Sequence, residues 1–163
     1  MTKKVNFKLI IILLIYLSVG FAVTSCKQKP SLQKPEALTI SEGFKNPLGF
    51  YDANPTFSWK LPVDHSIVSQ SAYQIVVASN PDLLPDHADL WDSKKQETDQ
   101  SVWIKYDGKA LQSRQKVYWQ VRYWSQDKEV SEWSKINHFE LGLLNNSDWK
   151  AKWVGLNTAK DSI

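Results

Sequence analysis

Residues 117–127 read VYWQVRYWSQD, and the alternation in that stretch decides the fold class. Val117, Trp119, Val121 and Tyr123 fall on one face of an extended chain, with Gln120 and Arg122 on the other. Successive side chains of a strand point to opposite faces, so a period of two marks a half-buried β-strand.

The same period recurs on both sides of it. Leu38 and Ile40 alternate with polar residues, and Asn46-Pro47-Leu48-Gly49 then makes a turn. Phe57, Trp59 and Leu61 share a face after Pro55 marks the strand entry. Tyr73, Ile75 and Val77 alternate in AYQIVVAS, and Val102, Ile104 and Tyr106 do so before the turn signal Asp107-Gly108. Phe139 and Leu141 close the series. Residues 80–91 have room for one helical turn, limited by Pro81 and Pro85. Six to seven short strands with turn signals between them, and no convincing amphipathic helix, predict an all-β fold. The expected form is an immunoglobulin-like or fibronectin type III-like β-sandwich over residues 36–142. With 8 Trp and 6 Tyr in the chain, large rings fill its core, Trp59 and Trp119 at the centre.

The amino terminus is of another kind. Lys3, Lys4 and Lys8 form a basic head, and Leu9 to Val23 an apolar run of 15 residues. As a helix that run spans about 22 Å at ~1.5 Å per residue, short of the roughly 30 Å of a bilayer core. It therefore predicts a signal peptide, residues 1–25, rather than a membrane span. Val23-Thr24-Ser25-Cys26 fits a lipobox, in which small residues precede the cut and a thiol takes the diacylglycerol. Cys26 is the only cysteine, so it has no intrachain disulfide partner. The expectation is an exported chain anchored to a bacterial membrane by lipid on Cys26. Residues 26–35 would serve as a flexible, proline-interrupted tether. No acidic cluster resembling a lipoprotein surface-export signal follows the cysteine, and that lack of resemblance slightly favours the periplasmic side of the outer membrane over the cell surface.

Three of the 20 Lys and Arg lie in the signal, leaving 17 against 17 Asp and Glu. A formally neutral mature chain gives no electrostatic case for nucleic-acid binding. Nor is there a dense basic block for anionic lipid.

Several longer stretches carry a resemblance: NPLGFYDANPTFSWKL from Asn46, QSAYQIVVAS from Gln70, ADLWDS from Ala88, VYWQVRYWSQD from Val117, SEWS from Ser131, FELGLL from Phe139 and SDWKAKWVG from Ser147. In this order the chain resembles the amino-terminal region of bacterial α-L-rhamnosidases of glycoside hydrolase family 78, in their Bacteroidetes lipoprotein form. The resemblance implies a fibronectin-like module and places residues 143–163 as a linker into a downstream β-domain. It puts the catalytic barrel beyond this chain and supplies no catalytic residue. Fibronectin-like domains often pin a corner with a tyrosine at the start of the penultimate core strand. Parity puts Val117 there and Tyr118 on the other face, so either the corner bond is absent or the parity shifts at the strand start.

Candidate sites are few. Asp82, Asp86, Asp89 and Asp92 crowd one stretch but sit among prolines and polar residues, as a solvated loop does. His65, His87 and His138 are scattered, and neither metal-ligand spacing nor a cofactor motif is present. Tyr118 and Trp124 share the face opposite the core, and Trp103 has the wrong parity for burial. Trp149 and Trp153 lie past the last strand. These five aromatics are candidate contacts for a sugar ring or a neighbouring domain. The reading is a non-catalytic accessory module, present as a truncated or partial chain, partnered by the membrane, by downstream domains and by a possible glycan. The alternatives are a self-standing carbohydrate-binding lipoprotein and a protein-interaction module.

Overall fold

In the computed structural model, residues 32–63, 69–152 and 154 are described. Seven strands run among them: β1 (Glu36–Ile40), β2 (Thr56–Lys60), β3 (Gln70–Ala78), β4 (Trp91–Asp92), β5 (Ile104–Lys105), β6 (Lys116–Ser125) and β7 (Asn137–Glu140). They form two antiparallel sheets, β1-β2-β5 and β4-β3-β6-β7. The expected two-sheet, immunoglobulin-like sandwich is the fold. Its backbone is the β3–β6 pair, which runs from Gln70 opposite Ser125 to Ala78 opposite Tyr118 with one register shift between Gln70 and Ala72.

The inward faces are those the alternation predicts. Phe57, Ile75, Val77, Val117, Val121 and Phe139 are fully buried, with Trp59 and Trp119 almost so. Phe57 and Trp119 bring their ring centres to 4.6 Å across the two sheets. Trp59 tilts edge-on to Tyr73 at 5.2 Å. Each large ring removes apolar area worth about 25 cal/mol per Å². The indole N–H of Trp59 needs a partner in that dry space. Gln70, 2% exposed, accepts from it at 3.1 Å. The same amide donates to the carbonyls of Thr98 and Gln100 at 3.3 and 2.8 Å. One buried side chain thus satisfies the core and pins the segment leading into β5.

Two expectations need correction. Val102 is 46% exposed instead of facing inward with Ile104 and Tyr106. Trp103 takes a left-handed φ of +54°, which breaks the alternation just before β5. Gln120 is buried although it lies on the outer face. Residues 130–134 fold over it, and its amide donates to the Ser134 carbonyl at 2.7 Å. The stretch 80–91 holds the single turn expected of it, a 3₁₀ turn at Pro81–Leu83 capped by Asn80, which accepts from the Asp82 N–H at 3.0 Å.

Val117 stays inward at the position where a corner tyrosine would stand, so no shift of parity brings Tyr118 in. A different tyrosine closes a turn one strand earlier: Tyr106 donates its hydroxyl to the Lys109 carbonyl at 2.7 Å. Burial, with the Asp89 charge adding to it, pushes that hydroxyl up to about 12. Gly108 sits inside this turn. A Cβ there would lie 2.6 Å from the Leu90 carbonyl oxygen, Trp91 Cβ and the Tyr106 hydroxyl.

Candidate functional site

β6 outlasts its neighbour. β7 pairs only with Lys116 to Trp119, and residues 130–134 take over the remaining edge. Ser131 and Ser134 donate their N–H groups to the carbonyls of Tyr123 and Val121, each at 2.9 Å. Their hydroxyls accept the Tyr123 and Val121 N–H groups at 3.1 Å. The hydroxyls in turn donate to the carbonyls of Glu132 and Lys135. Two serines three residues apart therefore replace a strand's ladder.

That segment carries Trp133 onto the outer sheet face, where Arg122 and Trp124 project from β6. The Arg122 guanidinium lies 4.5 Å from the Trp133 ring centre and 5.0 Å from that of Trp124. Lys95 adds its ammonium 5.4 Å from Trp124. Arg122 also donates through Nε and Nη2 to Gln74 Oε1 at 3.0 and 2.7 Å, and Gln74 donates to Asp92 at 2.7 Å. Tyr118 shares the face, with Lys116 5.5 Å from its ring and His138 at 6.0 Å. Tyr118 and Trp124 thus occupy the face expected of them, but cations already lie against their rings. Chemically this is a rigid, self-satisfied surface. Trp133 and Arg122 were not among the expected site residues; the Ser-x-x-Ser spacing of SEWS is the signal that points to them.

A second place is open. Between the edges of β4 and β5 lies a cleft of about 570 Å³, with Trp103 on its wall. Trp103 is 69% exposed. Its left-handed backbone costs about 1–2 kcal/mol for a side chain of this kind, and Ser58 Oγ holds it by accepting the Trp103 N–H at 3.0 Å. Asp92, Ser93 and Gln96 on the cleft floor are engaged by internal hydrogen bonds.

The carboxylates of the acidic stretch serve the fold. Burial acts to raise Asp89, but hydrogen bonds from the Ser79 hydroxyl and N–H, at 2.6 and 2.8 Å, hold it below the usual carboxylate range. Asp92 is likewise opposed by burial and lowered by Lys94 and Gln74. Among the described residues no three His, Cys, Asp or Glu side chains converge as a metal site would require.

Past β7 the chain is tied down before it reaches Trp149. Ser113 donates to Asp148 and accepts the Leu144 N–H at 2.9 Å. The Ser113 bond, followed by the Asn145 N–H, lowers Asp148. Trp149 beyond this tie is 60% exposed. Cys26, His65 and Trp153 lie outside the described residues.

Residues 35–145 match the family model described as Rha78A-like, N-terminal immunoglobulin domain. An α-L-rhamnosidase of Formosa agariphila is 64% identical over 160 residues, 98% of this chain and 17% of that protein. One from Alteromonas sp. is 45% identical over 150 residues, 90% of this chain and 16% of that protein. Among solved structures, the α-L-rhamnosidase from Dictyoglumus thermophilum superposes with a TM-score of 0.72 at 40% identity, over 78% of this chain and 14% of that one. The Streptomyces avermitilis enzyme, complexed with L-rhamnose, gives 0.67 at 40% identity, over 73% and 12%. The chain thus spans about one sixth of the curated relatives' length. By sequence and by fold, the chain belongs to the Rha78A-like amino-terminal immunoglobulin domain family.

Proposed function

We propose that the chain is a non-catalytic module that spaces and buttresses the downstream domains of a lipid-anchored α-L-rhamnosidase, an enzyme releasing terminal α-L-rhamnose from glycans or glycosides. The observation that carries this reading is the match of nearly the whole chain to one sixth of relatives named α-L-rhamnosidase. The chemistry agrees. Glycoside hydrolysis needs two carboxyl groups flanking one bond in a shaped cleft. The best-placed carboxylates here, Asp89 and Asp92, are engaged by Ser79, Gln74 and Lys94 instead. Export and anchoring through Cys26, with the outer membrane's periplasmic side favoured, rest on the leader and its lipobox.

The test compares the purified chain with the same chain extended by a relative's downstream domains, on an aryl α-L-rhamnoside. Turnover by the extended protein alone is expected. Turnover by the chain alone that disappears in Asp89→Ala would overturn the reading. For the anchor, mass spectrometry of the membrane fraction should find an acylated amino terminus at Cys26, absent in Cys26→Ser. A mature terminus at any other residue, or one without acyl groups, would contradict it.

A further inference from the structure

We propose that the cleft between β4 and β5 is a binding site for a neutral pyranose unit of a glycan, with Trp103 as its stacking platform. Its volume, about 570 Å³, falls within the range of small-ligand sites. Among the described residues no ring or cation packs on the Trp103 indole, in contrast to Trp124 and Trp133. That indole is presented on a left-handed backbone, and strained residues of this kind gather at ligand sites. An exposed indole face suits the apolar C–H face of a pyranose.

The polar lining supplies what the sugar's hydroxyls require. Tyr73, Trp91, Lys105 and Asp107 line the cleft. Among the described residues, none of the Tyr73 hydroxyl, the Trp91 indole N–H, the Lys105 ammonium and the Asp107 carboxylate has an internal hydrogen-bond or ion-pair partner. They offer two N–H donors, one carboxylate acceptor and one hydroxyl that is both, and a sugar hydroxyl likewise donates and accepts. Asp92, Ser93 and Gln96 beneath are fixed by their own bonds, so the floor is pre-organised. Charge selects the class of sugar. The free ionic groups are one cation and one anion, which gives no advantage to a uronate or a phosphorylated sugar. The site stands independently of whether the chain serves a rhamnosidase.

The experiment is a titration of the purified chain, followed by the indole N–H signals in ¹H–¹⁵N spectra. The probes are methyl α-L-rhamnopyranoside, methyl α-D-glucopyranoside and D-galacturonate. At least one neutral glycoside should shift the Trp103 and Trp91 indole signals saturably at millimolar concentration, with galacturonate weaker. Trp103→Ala should weaken binding at least roughly tenfold, and Asp107→Ala by a smaller factor, both with an unchanged melting temperature. Trp124→Ala should bind as the parent does. The proposal is overturned if no neutral glycoside saturates these signals, if binding survives both cleft variants, or if galacturonate binds more tightly. Exclusion of a quencher from Trp103 by a downstream domain in the extended protein would also overturn it, assigning the cleft to a domain interface.

Discussion

Trp133 and Trp103 are both tryptophans outside the core, and their surroundings differ in kind. Around Trp133 the cation against the ring has an internal use. Arg122 lies against two rings, binds Gln74 through two nitrogens, and Gln74 passes the contact to Asp92. Around Trp103 the ring is bare, the backbone is left-handed, and the nearby hydroxyl, ammonium and carboxylate are free within the described residues. An aromatic ring on a sheet surface is therefore not by itself a sign of binding. The informative observation is whether its neighbours have already spent their hydrogen bonds within the fold. By that criterion the outer face of β6 stabilises the domain, while the β4–β5 cleft is available to a ligand.

The strongest way to disturb the cleft without touching its wall is through Gln70. Gln70→Leu strips the Trp59 indole of its buried partner, which costs about 1–3 kcal/mol, and releases the carbonyls of Thr98 and Gln100, which water can reach and which add less. A loss of roughly 2–4 kcal/mol in urea unfolding is expected, with faster amide exchange over residues 98–103. A loss confined to stability, with exchange there unchanged, would show that the segment is held by other means.

Next in size is the surface cluster of Gln74, Arg122, Trp124 and Trp133. Trp133→Ala should cost about 1–2 kcal/mol, since it removes one ring from a partly desolvated guanidinium. Arg122→Lys should recover part of that charge interaction but not the two bonds to Gln74. Sugar binding, measured on the same variants, should not move.

A smaller effect concerns pH. Asp89 and Asp92 are held below the usual carboxylate range in the fold. Their contribution is fully present above the unfolded carboxylate value of about 3.9 and is lost as pH falls through the lower folded values. Asp89→Asn should flatten the acid limb of the stability profile, by less than about 1 kcal/mol for so exposed a group. An unchanged acid limb would mean that the Ser79 bonds do not discriminate the ionised form.

The strands were legible because their signal is local. A period of two across Val117 to Tyr123 needs nothing but neighbouring residues to be read, and Trp59 and Trp119 are buried where it puts them. What escaped depends on contacts distant in sequence or on backbone geometry without a residue signature. Gln120 is buried by a coil segment that arrives from residues 130–134, not by the sheet whose alternation was read. The surface cluster joins positions 74, 122, 124 and 133, which no single window contains. Val102 turned outward because Trp103 has a positive φ, and nothing in an indole side chain announces that as a glycine would. The outward placement of Trp103 was legible from parity; its freedom from partners was not.

The comparison between the two tryptophans rests on one being built into the fold and the other being held out from it. Urea unfolding of the purified chain as Trp103→Gly and as Trp133→Ala tests this most directly. Glycine relieves the left-handed penalty of about 1–2 kcal/mol at position 103, offset by its greater freedom in the unfolded chain, about 0.5–1 kcal/mol. Trp103→Gly should therefore unfold within about 1 kcal/mol of the parent or above it, while Trp133→Ala falls clearly below. A Trp103→Gly variant that loses as much stability as Trp133→Ala would contradict the account, because Trp103 would then be a structural residue and the cleft no open site.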